Sequence, residues 1–482
     1  MNAPTPAAAT RPNAHRPGFA LAGLALTMLL SSLATSSANV ALPTLSRSFA
    51  ASFQTVQWVV LSYLLVVTTS VVAFGRLGDL VGRRRLLLLG LVAFTVGSVA
   101  SGLAPTLALL VAARAAQGLG AAVMMALTLA LVSDLVPKER TGSAMGLLGT
   151  TSAIGTALGP SVGGALIGFS GWRALFLVNA PLAAVALLLL YRYLPSGARP
   201  GPRRAVVFDV KGTLLLAMTL TAYALATTLG GGHFGGVNAA LFVFAVAGLV
   251  LFLAVERRAP APLVRTSLLT DRVIGASLGA NLFVTTVLMS TLVVGPFYLS
   301  IGYGLAPALV GLVMAAGPIV AAITGVPAGR VVDRAGTRKT TLFGLAGVAT
   351  GGFLLALLPA SLGVVGYVAP SVIMTAGYAL FQAANGARIL ESAKPEERGV
   401  VSGTLNLSRN LGLVSGACVM GALFTTATGG AVALAHSAAV ASAAKLTFAV
   451  ATGLALVALV WIAHATASTS LGAAATEPSP SR

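Results

Sequence analysis

Acidic side chains are scarce in this chain: 11 Asp and Glu stand against 30 Lys and Arg among 482 residues, and charged residues of both signs make up only 9%. With 57% hydrophobic residues and a mean hydropathy of +0.93, the chain carries more apolar surface than a soluble domain could bury. Cysteine is nearly absent as well; Cys418 stands alone, which excludes an intramolecular disulfide. No Gly-x-x-x-x-Gly-Lys-Ser/Thr loop occurs and no loop is long enough for a nucleotide domain, so direct ATP use has no basis. The apolar runs lack His, Asp and Glu apart from flanking groups, and with Cys418 alone inside them they offer no set of groups for an intramembrane enzyme. Nothing in these residues calls for a metal or a cofactor.

A net charge of +19 in a soluble protein would suggest a nucleic-acid partner, so the placement of the charges decides. They recur in every second loop: Arg76 and Arg83 to Arg85; Lys138 and Arg140; Arg199, Arg203, Arg204 and Lys211; Arg257, Arg258, Arg265 and Arg272; Arg330, Arg334, Arg338 and Lys339; Lys394 and Arg398. The intervening loops hold only Arg47, Arg173 and Lys445. This positive-inside pattern puts both termini in the cytoplasm of a plasma membrane, the bacterial inner membrane, and makes the bilayer rather than nucleic acid the partner of the charge.

Apolar segments of spanning length number fourteen, at about 18–42, 56–74, 86–103, 107–133, 143–168, 174–194, 211–229, 238–255, 273–299, 306–326, 340–358, 362–390, 400–424 and 445–464. The first could pass for a signal peptide. It is read as a retained helix, because it continues through polar residues to Pro43 and leads straight into further spans. Residues 1–17 and 466–482 read as short disordered cytoplasmic tails. Trp58, Trp172 and Trp461 fall near segment ends, as interfacial belt residues do.

One motif occurs twice. Gly75-Arg-Leu-Gly-Asp79-Leu-Val-Gly82-Arg83-Arg84-Arg85 returns about 254 residues later as Gly329-Arg-Val-Val-Asp333-Arg334-Ala-Gly336-Thr-Arg338-Lys339, each joining two apolar runs. Pro137-Lys-Glu139-Arg140 returns at a similar offset as Pro395-Glu-Glu397-Arg398. The chain is therefore a duplication of six-helix halves, 18–198 and 265–465, separated by an insertion at 199–264 that carries segments 7 and 8. Glycine permits a tight interhelical turn against a neighbouring helix, and aspartate suits a helix N-terminus.

These residues resemble the major facilitator superfamily, in its fourteen-helix drug:proton antiporter branch, over nearly the whole length. The resemblance implies an all-α integral membrane fold of two six-helix bundles related by a pseudo-two-fold axis, with two extra central helices. It also implies alternating access by rocking of the halves. By the same resemblance the doubled motif is a conformational latch, with Asp79 near Gly399 at the start of helix 13 and Asp333 near helix 5 in the outward-facing state; Leu80 stands where Arg is usual. Gly155-x-x-x-Gly159-Pro160-x-x-Gly163-Gly164 in segment 5 is similar to the exporter motif, whose small residues permit close helix contact and whose proline permits a kink. Gly171 to Pro181 matches a pattern of the same branch. Arg114 and Arg409 are intramembrane arginines of the branch; at a cost of at least ~2.5 kcal/mol in a bilayer core, Arg114 should face a cavity or a partner.

The branch usually carries an acid in helix 1 where this chain has Ala34. Every Asp and Glu maps to a cytoplasmic loop, helix end or tail, so none is left for the membrane centre. A cavity with Arg114 and Arg409 but no acid cannot repay the desolvation of a multiply charged cation, so the expected cargo is a small amphipathic neutral, zwitterionic or anionic molecule. Proton coupling follows from the resemblance alone, with Asp79 or Asp134 as its possible carriers. The superfamily's pore-lining helices nominate Ser32, Thr35, Ser36, Asn39, Gln117, Met125, Asn281, Thr285, Tyr378, Gln382, Asn385 and Asn406 as cavity residues, with interhelical bonding as the alternative role. The reading is a monomeric secondary exporter, driven by the proton gradient and without a cofactor. An uncoupled facilitator or importer, and a non-transporting sensor on the same scaffold, stay open as alternatives.

Overall fold

The computed structural model describes residues 17–136, 141–195, 209–231, 233–259, 262–392, 398–430, 432 and 435–474. Among them stand fourteen helices long and apolar enough to cross a membrane. They are α1 Pro17–Ser48, α2 Phe53–Val81, α3 Arg83–Leu103, α4 Leu107–Leu135, α5 Thr141–Ser170, α6 Trp172–Tyr193, α7 Val210–Thr228, α8 Gly236–Glu256, α9 Arg272–Phe297, α10 Pro307–Ala335, α11 Thr337–Leu357, α12 Gly363–Ser392, α13 Arg398–Ala427 and α14 Ser437–Ala474. An even count returns the chain to its starting side, so α1 begins and α14 ends on one face, the terminal face. Residues 1–16 and most of both Pro-x-Glu-Arg turns lie outside the described residues, whereas the C-terminal tail expected to be disordered from 466 is helical to Ala474, because α14 runs on past its apolar stretch through alanine-rich sequence that favours a helix.

Several helices outrun their apolar runs. α1 continues past Pro43 to Ser48, because a proline removes one backbone bond without ending a helix that is packed on all sides. Their ends are set by local chemistry. Ser52 and Thr106 cap α2 and α4, and Asp209 and Asp271 cap α7 and α9 by accepting backbone N–H bonds of 2.7–2.9 Å. The α2–α3 and α10–α11 turns pass through Gly82 and Gly336 at φ of +103° and +79°, a conformation that side chains resist.

The packing shows the duplication directly. In the first half α1 packs on α5 and α6, α4 on α2 and α3, and α3 on α6; in the second half the same pairs recur eight helices later, α9 on α13 and α14, α12 on α10 and α11, and α11 on α14. The halves meet at two equivalent seams, α5 with α10 and α13 with α2, which exchange under a two-fold rotation. The α7–α8 hairpin has no counterpart. Its α7 rests on both α2 and α13 and so bridges one seam.

Candidate functional site: the interface of the two bundles

The two seams close at the face opposite the termini. Near the end of α5, a Cβ built on Gly164 would lie 2.6 Å from Pro307 O and 2.8 Å from Gly311 Cα, so the backbones of α5 and α10 touch. The small-residue motif divides its duties around the helix. Gly155 and Gly159 pack on α1, where a Cβ at Gly159 would stand 2.8 Å from Ser36 Cβ; Gly163 meets Leu175; Pro160 and Gly164 face the other half. At the second seam Phe53 lies edge-on to Phe297 at 4.8 Å and to Phe424 at 5.6 Å. Gln57 donates to Ala417 O from beside Gly421.

At the terminal face the repeated turns are not packed through their glycines. A Cβ on Gly75, Gly82, Gly329 or Gly336 would meet nothing within 4 Å, so the close approach expected of these turns is not made in this state. Asp79 is exposed and pairs with Arg83 of its own turn at 2.9 Å, not with the start of α13, while Asp333, Arg334 and Arg338 are exposed. Arg84 spends its donors on Leu194 O and Tyr191 O, tying this turn to the end of α6.

Arg114 neither snorkels nor faces an open cavity. Only 1% exposed, it donates to Val59 O at 3.0 Å, to Ala34 O at 3.2 Å and to Gln117 Oε1, and its guanidinium lies 4.2 Å from the centre of the Tyr63 ring. Gln117 passes the link on to Ser98 Oγ at 2.7 Å. With alanine at position 34, backbone carbonyls of α1 and α2 receive the guanidinium hydrogens instead of a carboxylate. The arginine thereby staples four helices of the first bundle together. Arg409, half-buried in α13, leaves Nε without an acceptor.

The twelve nominated cavity residues split into two groups. Ser36, Asn39, Gln117, Asn281, Thr285 and Asn385 are buried: Asn281 donates to Leu405 O at 3.2 Å, Asn385 to Ser277 O at 3.2 Å, and Ser36 and Asn39 to carbonyls of α1 one turn back. Polar pairs between helices satisfy groups that lipid cannot, which is why sequence periodicity alone could not separate glue from lining. Ser32, Thr35, Met125, Tyr378 and Gln382 are half-buried and Asn406 is exposed. Gln382 Nε2 donates to Tyr378 OH at 2.9 Å on α12. Asp134 lies in α4 with its side chain outside the described residues. Trp172 departs from the belt expectation, being buried against Phe49 and Phe176.

A cavity of about 650 Å³ lies away from these residues, between the α7–α8 hairpin and α9, α13 and α14, walled by Tyr223, Phe252, Leu282, Leu411 and Trp461 among others. Its walls are mostly apolar. Residues 24–417 match the family described as Major Facilitator Superfamily. The chain belongs to this superfamily. Within it the chain is 33% identical over 397 residues to the multidrug resistance protein Stp of Mycobacterium tuberculosis, covering 80% of this chain and 72% of the relative. It is 30% identical over 404 residues to the riboflavin transporter RibZ of Clostridioides difficile, covering 82% and 86%. Among solved structures, an inward-facing, occupied bacterial homologue of the human lysosomal transporter Spinster superposes with a TM-score of 0.69 at 16% identity, covering 94% of this chain and 97% of that one. That likeness concerns the fold.

For a superfamily transporter, the residues that matter at the seam include some that the sequence reading passed over. Gln57 is one: a lone amide in the apolar run Val56 to Val60, it offered a signal of its own, since a polar group in a span needs a partner. Arg388, 8% exposed with Nη1 unbonded, is a second buried polar group that the sequence reading passed over, but it lies away from the seams, at the terminal-face end of α12.

Proposed function

We propose that the chain is a secondary exporter of small amphipathic organic molecules, neutral, zwitterionic or anionic, that works by rocking of its bundles about the two seams and is driven by the proton gradient. It acts as a monomer in the plasma membrane with the terminal face in the cytoplasm. The carrying observation is the position of the acids: Asp79, Asp209, Glu256, Asp271, Asp333 and Glu391, all those with described side chains, stand at terminal-face ends of helices. Between those ends the described spans hold no carboxylate to repay the lost hydration of a dication. Relatives described as a multidrug resistance protein and a riboflavin transporter are in keeping with such cargo. In proteoliposomes, neutral or anionic amphiphiles should move saturably and faster with a pH gradient than without one; saturable transport of a bis-quaternary dye would defeat the substrate assignment, and indifference to the gradient would favour an uncoupled facilitator.

The doubled turns are proposed to latch the terminal face when it closes. In the present state Asp79 holds only an exposed pair, worth at most about 1 kcal/mol. Asp79→Asn should therefore leave thermal stability unchanged and slow turnover several-fold. Equal turnover in the two proteins would remove the latch.

A further inference from the structure

Two carboxyl groups face each other at the terminal-face end of the α7–α8 hairpin. Asp209 caps α7, accepting Gly212 N–H on Oδ1 at 2.7 Å, and Glu256 closes α8, accepting Val264 N–H on Oε2 at 3.0 Å. The other two oxygens, Asp209 Oδ2 and Glu256 Oε1, are buried and accept nothing, and Glu256 as a whole is 2% exposed. Both oxygens crowd the same point, the place where a Cβ on Gly212 would be, so glycine is the residue that leaves room for them to approach.

Two unpaired carboxylate oxygens in a buried site repel, and each pays for its lost water. A single proton between them satisfies both, because a protonated carboxyl donates where a carboxylate can only accept. A metal ion fits less well, since two carboxyl oxygens are far short of the six or more that hard cations require. Among the described cations around the pair, Lys211, Arg257, Arg258 and Arg265 are exposed, Arg76 of α2 donates to Pro262 O at 2.7 Å, and Arg409 of α13 is half-buried; no hydrogen bond reaches the two facing oxygens. Among the described residues, the charged group that acts on Glu256 is Asp209.

We infer that Asp209 and Glu256 form a one-proton binding site that clasps the α7–α8 hairpin to the 262–264 segment leading toward α9. The segment is gripped from two sides. Glu256 holds it through Val264 N–H, and Arg76, three residues before Asp79 in the repeated turn, holds it through Pro262 O. Loss of the shared proton leaves two negative charges in the site, drives the carboxyl groups apart and loosens the grip beside the α2–α3 turn. The proton site stands on its own geometry; only its effect on flux rests on the exporter reading.

The test uses full-length protein in lipid nanodiscs. Infrared titration from about pH 5 to pH 9 should show a protonated-carboxyl band in wild type that disappears as pH rises, with the thermal unfolding temperature falling over the same range. The sign follows from linkage: a carboxyl that keeps its proton in the folded protein beyond the pH where the unfolded chain has lost it costs stability as pH climbs. Glu256→Gln, whose amide can donate permanently to Asp209, should remove both the band and the stability slope; Asp209→Asn does the same from the other side and guards against one variant failing to fold. A wild-type band absent at all pH values, or a slope retained in both variants, overturns the proposal. In liposomes held at a constant pH gradient, Glu256→Gln should also lose the dependence of flux on terminal-face pH. Band and slope present without any wild-type efflux would keep the site and reject the exporter reading.

Discussion

Gly164→Ala is expected to push the transporter out of the state described here. The new methyl meets Pro307 O at 2.6 Å and Gly311 Cα at 2.8 Å, and backbone atoms, unlike a flexible side-chain tip, cannot swing aside. Overpacking of this kind costs about 1–3 kcal/mol. Because the contact belongs to the closed seam and not to the interior of either bundle, the cost falls on this state alone and should lower its population by roughly 5- to 150-fold. Spin labels on the opposite-face ends of α5 and α10 should show a longer distance in the variant, together with a fall in substrate flux. Gly311→Ala, acting on the same contact from the other half, should reproduce the effect. Distances and flux equal to wild type in both variants would show that the seam relaxes and that the backbone contact does not set the equilibrium.

Arg114→Ala should produce the second large effect, but through the first bundle and not through the seam. The guanidinium supplies hydrogen bonds to α1, α2 and Gln117 and stacks on Tyr63, all away from water. Hydrogen bonds to a charged group contribute about 1.5–3 kcal/mol each, so losing the set should cost about 3 kcal/mol or more. Arg114→Lys keeps the charge but carries its donors on one nitrogen, which cannot span the acceptors reached separately by Nε, Nη1 and Nη2, and should fall between alanine and wild type. Thermal unfolding separates the possible roles. A marked drop in unfolding temperature together with lost transport fits the staple; a wild-type unfolding temperature with abolished transport would instead make Arg114 a substrate contact.

These two positions differ in how far the chain announced them. The small residues of α5 were legible as a close-packing face, because glycine at four-residue spacing has few other uses in a span. Their division between α1 and α10 was not, because a helix face carries no label for the helix that will meet it. Arg114 was legible as a charge in need of partners. That its partners would be the carbonyls of Val59 and Ala34 followed only from the crossing of α1, α2 and α4.

The nominated cavity shows the same limit. Periodicity set Ser32, Thr35, Ser36 and Asn39 on one stripe of α1, yet Ser36 and Asn39 are buried while Ser32 and Thr35 are half-buried. A helical stripe is wider than the contact line of one neighbour, so residues one turn apart can fall on either side of it.

What the sequence determined by itself is the membrane, the fourteen spans and the doubled ancestry, since hydropathy and repeat spacing are properties of the chain read in one dimension. It also determined that the acids sit at helix ends. The tertiary structure decided which of those ends are shielded from water: Asp79 and Asp333 are exposed, while Glu256 is enclosed with Asp209 although 46 residues of chain separate the two. It decided equally which face is shut. Closure and charge burial depend on distances between segments remote in sequence, and those distances exist only once the helices have packed.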